Sequence, residues 1–193
     1  NGKIVAVTSS NAGEGKSTVS INLALTMASA NVKVLLIDAD LRRPTIHKKL
    51  RIDNSTGLSK FIVGFEPMSD SLKRNVFTNL DVMTSGPIPP NPSELLGSEN
   101  MRVFLQKASD YYDYIIIDTP PVNIVTDVAV MSDCISGVLL VTSYGNTTFE
   151  DVKKANTTLE KVNAKLLGMV LAGVENKKSI YKKDSSSYYT SKK

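Results

Sequence analysis

The sequence predicts an α/β fold in which a mostly parallel sheet carries helices on both faces. Two observations support this prediction. Short apolar segments typical of buried strands alternate with longer segments of helical periodicity along most of the 193 residues. A glycine-rich loop, Ser10–Thr18, separates the first apolar segment from the first helical one. Strands that alternate with helices in this way pair in parallel, because each helix carries the chain back across the sheet.

The predicted strands are short and rich in aliphatic residues, and the longer segments between them have helical periodicity. We expect strands at Lys3–Thr8, Val32–Ile37, Leu80–Met83, Tyr114–Ile117, Val138–Thr142 and Leu166–Leu171. We expect helices at Thr18–Ala30, Gly57–Val63, Ser93 to about Ser109, Thr126–Asp133 and Thr148–Val162. Ser93 is the expected N-cap of the third helix, with Glu94 in its first turn. The proline-rich segment 86–92 must be a stiff loop, because proline lacks a backbone donor and fixes φ.

The loop Ser10–Thr18 has the context of a phosphate-binding P-loop, since it follows a strand and opens a helix. Its glycines allow backbone N–H groups to converge, and the helix adds unpaired N–H groups and the positive end of its dipole. Lys16 supplies a cation for the β- and γ-phosphates, and Ser17 supplies a hydroxyl for Mg²⁺. The predicted nucleotide-binding residues are Asn11, Ala12, Gly13, Glu14, Gly15, Lys16, Ser17 and Thr18.

Three acids follow buried strands of the predicted sheet. Asp38 and Asp40 come directly after the second strand, and Asp118 follows Ile115–Ile117. Carboxylates at strand ends beside a P-loop suit Mg²⁺, so we expect Ser17, Asp38 and Asp118 to hold the metal. Phosphoryl transfer to a hydroxyl also needs a carboxylate near the γ-phosphate, and Asp38 and Asp40 are both candidates. The expected catalytic residues are therefore Lys16, Asp38 and Asp40.

ATP is the nucleotide favoured by elimination. The guanine-specific pattern Asn-Lys-x-Asp is absent, and the near match at 176–179 ends in Ser179 instead of an acid. Arg42 and Arg43 follow the acidic pair. They are either solvated or in contact with phosphates or an incoming peptide.

The net charge of +4 comes from the C-terminal segment, where residues 177–193 contain six lysines and one aspartate. We therefore expect a P-loop domain at 1–176, followed by a flexible, basic, tyrosine-bearing tail at 177–193, and no nucleic-acid partner. No apolar run is long enough for a direct membrane span, which favours a cytoplasmic location. Asn1 lies directly before a strand, which indicates a natural N-terminus further upstream. Cys134 is the single cysteine, so a cysteine-ligated iron–sulfur cluster within one chain is disfavoured.

Four motifs and the tail resemble the bacterial tyrosine kinases of capsule and exopolysaccharide synthesis, and most closely the cytoplasmic capsular kinases of Gram-positive bacteria. These are the P-loop with Glu14 between glycines, Asp38–Pro44, the loop Pro89–Leu96, Asp118–Pro121, and the tyrosines after the last strand. The resemblance implies a P-loop NTPase of the deviant-Walker type, which is similar to the partition ATPases. Lys16, Ser17 and Thr18 then belong to Walker A, Asp38 and Asp40 to Walker A′, and Asp118 to Walker B.

The resemblance also implies an activity and partners. ATP and Mg²⁺ are the implied cofactors, and Tyr181, Tyr188 and Tyr189 match the autophosphorylated cluster of the family. That cluster receives phosphate in trans from a neighbouring copy of the kinase. The cytoplasmic segment of a polysaccharide co-polymerase in the membrane is the implied activator, which would place the kinase at the inner face of the plasma membrane.

Two alternative functions remain open. A positioning ATPase that acts as a switch shares the P-loop fold, but the signature lysine of that group is replaced here by Asn11. A nucleotide-dependent scaffold of polysaccharide assembly, without significant kinase activity, is the other alternative.

Overall fold

A seven-stranded sheet forms the centre of the computed structural model, which describes residues 2–174. The strands are Lys3–Ser9 (β1), Val34–Asp38 (β2), Leu72–Phe77 (β3), Leu80–Met83 (β4), Tyr114–Asp118 (β5), Gly137–Ser143 (β6) and Leu166–Ala172 (β7). Their order across the sheet is β3-β4-β2-β5-β1-β6-β7, and only the β3–β4 pair is antiparallel. This architecture confirms the predicted fold class.

Helices cover both faces of the sheet. Within residues 2–174 the α-helices are Lys16–Ser29 (α1), Ile46–Leu50 (α2), Leu58–Ile62 (α3), Met68–Ser71 (α4), Pro92–Leu96 (α5), Glu99–Ala108 (α6) and Phe149–Lys161 (α7), and Ala129–Cys134 is a 3₁₀ helix. Apolar residues of α1 and α2 pack on one face, and those of α3, α5, α6 and α7 pack on the other. The alternation in β1 shows both contacts, because Ile4 and Ala6 face one layer while Val5 and Val7 face the other.

The central strands β2 and β5 bring two acids together. β2 is buried along its whole length, and β5 is buried from Ile115 onward. The two strands pair in parallel with Asp38 opposite Asp118, so both carboxylates lie at the carboxyl edge of the sheet. β1, which leads into the glycine-rich loop, lies directly beside β5.

Some predicted elements differ from the observed ones. The single helix expected from Ser93 to Ser109 is broken between α5 and α6. Ser98 is the N-cap of α6 and accepts a hydrogen bond from the Met101 amide, whereas Ser93 lies inside α5. The edge strand β3 was not expected, because its Lys73, Arg74 and Asn75 interrupt any apolar alternation. The short helices α2 and α4 were not expected either.

In the described range 2–174, no helix combines the length and apolar character needed to cross a bilayer. Tyr181, Tyr188 and Tyr189 lie outside the described residues, as does the whole predicted tail at 177–193. The domain boundary at residue 176 therefore stays a prediction.

Candidate active site

The glycine-rich loop connects β1 to α1 and leaves the start of α1 uncapped by any side chain. Gly13 and Gly15 have φ of 84° and 93°, in the left-handed region where glycine is favoured. Gly15 is the N-cap of α1, a helix of 14 residues. The N–H groups of its first turn are therefore available to an anion, and the helix dipole favours negative charge there.

Lys16 lies at the centre of an acidic cluster. Its Nζ donates to Asp40 Oδ2 at 2.8 Å, lies 3.7 Å from Asp118 Oδ2, and is 3.3 Å from the Ser17 hydroxyl. Burial lowers the pKa of Lys16, but the negative charges of Asp118 and Asp40 outweigh it, so the pKa is raised overall. The lysine is therefore charged and is held by carboxylates at the place where nucleotide phosphates would bind.

Asp38 and Asp118 are both fully buried. Asp38 Oδ2 accepts hydrogen bonds from the backbone amides of Thr45 and Ile46, at 3.2 and 3.1 Å. Asp118 Oδ1 accepts from the Ser20 hydroxyl at 3.0 Å. Burial and the neighbouring charge of Asp118 raise the pKa of Asp38 to about 7, and burial raises the pKa of Asp118. Burial is thus the main cause of both shifts, and the neighbouring acids add to it.

Asp40 differs from Asp38 because it reaches the open cavity beside the P-loop. Its Oδ1 accepts from the Arg43 backbone amide at 3.0 Å, which fixes the turn after β2, and its Oδ2 pairs with Lys16. A ligand that drew Lys16 away would free Asp40 Oδ2. The two acids of this motif are therefore in different environments, a distinction that the sequence did not provide.

Glu14 ties the P-loop to the loop after β6. Its Oε2 accepts from the Asn11 backbone amide at 2.9 Å, and its Oε1 accepts from the Thr147 hydroxyl at 2.6 Å. The same Thr147 oxygen accepts from the Ser143 amide at the end of β6. Glu14 is 5% exposed, so its side chain contacts protein groups behind the loop. The backbone amides of the loop therefore remain available to a nucleotide.

A buried carboxylate also positions Arg42 at the edge of the site. Arg42 donates from Nε to Asp127 Oδ2 at 3.1 Å and from Nη2 to Asp127 Oδ1 at 3.2 Å. Ser93 joins this group, since it accepts from Arg42 Nη2 at 2.8 Å and donates to Asp127 at 2.6 Å. Asp127 is fully buried, and its hydrogen bond raises the pKa of Arg42. The helix α5, which follows the proline-rich loop, is thereby linked to the turn after β2.

These groups surround a cavity of about 620 Å³. Of the predicted site residues, those in its wall are Ala12, Gly13, Gly15, Lys16, Ser17, Thr18 and Asp40. Glu14, Asp38 and Asp118 are buried and do not line the cavity, and the half-buried Asn11 does not line it either. Arg42, Arg43 and Lys49 also line it, and Lys49 Nζ donates to the Thr18 hydroxyl at 3.0 Å.

Sequence reasoning missed Asp127, Thr147 and Lys49. Asp127 lies in a predicted short helix, where a single acid is common. Only its complete burial, which the structure shows, distinguishes it. Thr147 precedes a recognisable capping box, in which Thr148 and Asp151 exchange hydrogen bonds at the start of α7. Nothing in that pattern shows that the preceding residue reaches the P-loop 133 positions away.

Among residues 2–174, no three or more histidine, cysteine, aspartate or glutamate side chains are grouped as a self-sufficient metal site. At the carboxyl edge of the sheet, the buried carboxylate oxygens Asp38 Oδ1 and Asp118 Oδ2 nevertheless have no hydrogen-bond partner among the described residues. A divalent cation at this edge would have to take its remaining ligands from phosphates and water. Mg²⁺ is usually bound in that way.

A glycine-rich loop between strand and helix, its lysine, and acids at the ends of β2 and β5 define a P-loop NTPase. Residues 2–190 match the ParA family, which is described as NUBPL iron-transfer P-loop NTPase. The tyrosine-protein kinase YwqD of Bacillus subtilis (strain 168) is 41% identical over 190 residues, which are 98% of this chain and 78% of that protein.

Two solved structures agree with this relationship. The kinase domain of the Escherichia coli tyrosine kinase ETK has a TM-score of 0.87 at 37% identity, covering 91% of this chain and 69% of that one. The chimerical protein CapA2B2 has a TM-score of 0.85 at 40% identity, covering 89% and 76%. The chain belongs to the bacterial tyrosine kinase family within the ParA-like P-loop NTPases, and it is a protein-tyrosine kinase. This confirms the resemblance drawn from the motifs.

Proposed function

We propose that this chain is an ATP- and Mg²⁺-dependent autokinase. It phosphorylates Tyr181, Tyr188 and Tyr189 on a neighbouring copy and thereby regulates capsular and exopolysaccharide synthesis. The observation that carries the proposal is the position of Lys16, held between Asp40 and Asp118 in the wall of the P-loop cavity. The γ-phosphoryl group passes from ATP to a tyrosine oxygen, the phenolic proton goes to a carboxylate, and ADP leaves.

The residues present fit a magnesium ion. Ser17, Asp38 and Asp118 are its proposed holders, because Asp38 Oδ1 and Asp118 Oδ2 are buried acceptors without partners within residues 2–174. Three carboxylates face one lysine here, so added positive charge would relieve their repulsion. When bound, the ion would neutralise phosphate charge in the transition state.

Asp40 is the proposed proton acceptor for the incoming tyrosine. It reaches the cavity, whereas Asp38 is buried behind it and is bonded to the backbone of α2. Phosphates that attract Lys16 would release Asp40 Oδ2 for this role. Asp38 then serves the metal and the turn between β2 and α2. The two acids that the sequence left equivalent thus receive separate functions.

The test is an assay with Mg-ATP and the cytoplasmic segment of the membrane activator, followed by mass spectrometry of phosphotyrosine. We expect phosphate on at least one of the three tail tyrosines, and none in Lys16→Met. Replacing all three tyrosines by phenylalanine should leave ATP binding intact. ATP hydrolysis without phosphotyrosine, even with the activator present, would contradict the proposal.

Transfer between copies is tested by mixing two variants. Lys16→Met keeps its tyrosines but lacks the lysine, and the triple tyrosine-to-phenylalanine variant keeps the complete site. Phosphotyrosine on the Lys16→Met chain in the mixture would support transfer in trans. Its absence from the mixture, while wild type is labelled, would show transfer within one chain.

The ParA match gives one alternative some support, namely an ATP-driven switch or scaffold of polysaccharide assembly. Such a protein hydrolyses ATP and changes its partners without modifying tyrosine. The same assay separates the two functions, because only the kinase transfers label from the γ-phosphate of ATP to protein. Location at the inner face of the plasma membrane through the activator is part of either proposal.

A further inference from the structure

A second cavity lies beside the P-loop cavity and shares part of its wall. Its volume is about 510 Å³, and Arg42, Arg43 and Thr45 line both cavities. The rest of the second wall comes from α2, from Pro44 and Asn54 on either side of α2, and from the start of the proline-rich loop. A molecule bound there would lie next to whatever occupies the P-loop cavity. We call this second space the basic cavity.

The basic cavity carries positive charge and no acid. Arg42, Arg43 and Lys48 line it, and no aspartate or glutamate does. Asp127 neutralises Arg42, but Arg43 and Lys48 form no ion pair with any residue in the range 2–174. Two uncompensated cations in one concavity attract an anion.

Unpaired polar atoms add hydrogen-bonding capacity to the same wall. Thr45 Oγ1 and His47 Nδ1 are buried and find no hydrogen-bond partner in the part of the chain that the structure describes. Burial and the charge of Lys48 lower the pKa of His47. Buried polar atoms are normally paired, so a ligand with several oxygens would supply partners for these two once their side chains turned toward the cavity.

Apolar residues, two of them prolines, form much of the remaining wall, together with Asn54 and Gly86. Pro44, Pro87 and Ile88 line the cavity, and Ile88 is 65% exposed. Prolines in a stiff loop offer a flat surface for an aromatic ring at little entropic cost. A ligand that matches both halves of the cavity carries an aromatic ring and a doubly charged anion.

We propose that the basic cavity binds a phosphotyrosine side chain while the next residue of the same peptide segment lies at the P-loop cavity. This inference rests on the proposed function, because the kinase itself would make that phosphotyrosine. Tyr188 and Tyr189 are neighbours, and successive side chains of an extended peptide point to opposite sides. One tyrosine of the pair can therefore enter each cavity across the shared wall.

Charge explains why the phosphorylated form binds more tightly than the unmodified one. The segment 177–193 contains six lysines and one aspartate, so before modification Arg43 and Lys48 add no attraction to its binding. A phosphate adds about −1.5 to −2 charges at pH 7 and three acceptor oxygens. The first modification of a tail thus creates the ligand that holds the tail for the second.

The test measures binding of ready-made peptides, so it needs no kinase activity. The protein is the full chain with its three tail tyrosines replaced by phenylalanine, in saturating Mg-ADP. The peptides copy residues 181–193, unmodified, with phosphotyrosine at Tyr189, or with phosphoserine at Ser187. We expect the phosphotyrosine peptide to bind about tenfold more tightly than the other two, measured by fluorescence anisotropy.

Lys48→Gln is the diagnostic variant, because Lys48 lines the basic cavity but not the P-loop cavity. It should weaken the phosphotyrosine peptide about threefold to tenfold. Lys153→Gln removes an exposed lysine of α7 outside both cavities and should change nothing. Equal effects of the two variants would overturn the proposal.

Three other outcomes would also overturn it. Equal binding of the phosphoserine peptide would mean that the apolar wall recognises no ring. Displacement by an equal concentration of inorganic phosphate would make the cavity a simple phosphate site. Loss of binding in saturating Mg-ADP would place the peptide in the P-loop instead. A kinase assay that fails while the peptide still binds would refute the proposed function and leave this site standing.

Discussion

Lys16 is a single cation near three acids, and this charge imbalance determines the electrostatics of the site. Asp40 and Asp118 lie at 2.8 and 3.7 Å from its ammonium, and Asp38 lies opposite Asp118 in the sheet. Burial raises the pKa values of Asp38 and Asp118, and one lysine does not offset this together with the repulsion from the neighbouring carboxylates. The folded chain therefore carries electrostatic strain that a nucleotide–metal complex would relieve.

Replacing Asp38 by asparagine should stabilise the nucleotide-free chain at pH 8. The folded pKa of about 7 lies above the unfolded value near 3.8, so the folded chain keeps a proton that the unfolded chain releases. Stability is therefore lost as pH rises from about 4 to 7, and asparagine removes this loss. Urea unfolding should show a gain of about 1–3 kcal/mol at pH 8 and a smaller one at pH 5.

The exposed Asp110→Asn is the matched control and should leave unfolding unchanged at both pH values. Asp38→Asn should also lose phosphoryl transfer, since Asp38 is a proposed metal ligand. A variant less stable than wild type at pH 8 would show that its hydrogen bonds to α2 outweigh its charge.

Asp127 is a positioning residue for Arg42, and its effect should appear in catalysis. In Asp127→Asn the guanidinium loses its bidentate partner while the buried volume is kept. We expect kcat/KM for an acceptor tyrosine to fall about tenfold, with little change in ADP affinity. Steady-state kinetics and ADP titration measure the two quantities.

Ser93→Ala is the milder comparison, because it removes one hydroxyl and leaves the Arg42–Asp127 pair in place. Its kcat/KM should lie between those of wild type and Asp127→Asn. Equal losses of ADP affinity and of kcat would instead assign Asp127 a purely structural role.

At this scale the sequence predicted which residues lie close together where a motif marks them, and their chemical roles stay predictions. Lys16, Asp38, Asp40 and Asp118 stand at strand or loop ends that a motif marks, and the structure brings their side chains together. Asp127 was not found because its role depends on a contact 85 positions away, which a local pattern cannot encode.

The elements were predicted where periodicity is strong and missed where it is weak. Each of the six predicted strands corresponds to an observed strand within two residues at either end, because all six are nearly continuous apolar runs. β3 was missed because an edge strand pairs on one side only and tolerates polar residues. The break between α5 and α6 was missed because Gly97 and Ser98 sit inside an otherwise helical pattern.

The P-loop and the β6–α7 loop act as one unit through Glu14 and Thr147. Thr147→Val removes the hydroxyl that bonds both Glu14 and the Ser143 amide, so the loop should lose its fixed shape. We expect ADP affinity to fall severalfold, measured by calorimetric titration. Glu14→Gln should give a similar loss, because it removes the charged acceptor.

A double-mutant cycle separates this coupling from general loosening. If the two side chains act through their shared hydrogen bond, the double variant should be little worse than either single one. Additive losses would mean that each residue affects the loop separately. Thr158→Val, whose hydroxyl bonds only the α7 backbone, is the control and should leave ADP affinity unchanged.

At the scale of the whole molecule, the sheet assembles the site from distant parts of the sequence. The P-loop follows β1, the acidic pair follows β2, and Asp118 ends β5, although these segments lie far apart along the chain. Parallel strands carry their carboxyl ends to one edge, so the topology itself gathers the site. A ligand bound there should therefore stabilise the entire sheet and not one loop.

Mg-ADP should raise the melting temperature of this chain, and most of the rise should depend on the metal. At a ligand concentration of about 100 Kd the gain is about 2.7 kcal/mol. For a chain of this size that corresponds to about 5–10 °C.

Differential scanning fluorimetry with ADP in excess EDTA should show a much smaller shift, because the buried carboxylates then face the phosphates without a metal ion between them. Asp118→Asn should lose the metal-dependent part, and Lys153→Gln should keep the full shift. An equal rise of the melting temperature in EDTA and in magnesium would mean that Asp38 and Asp118 hold no metal ion.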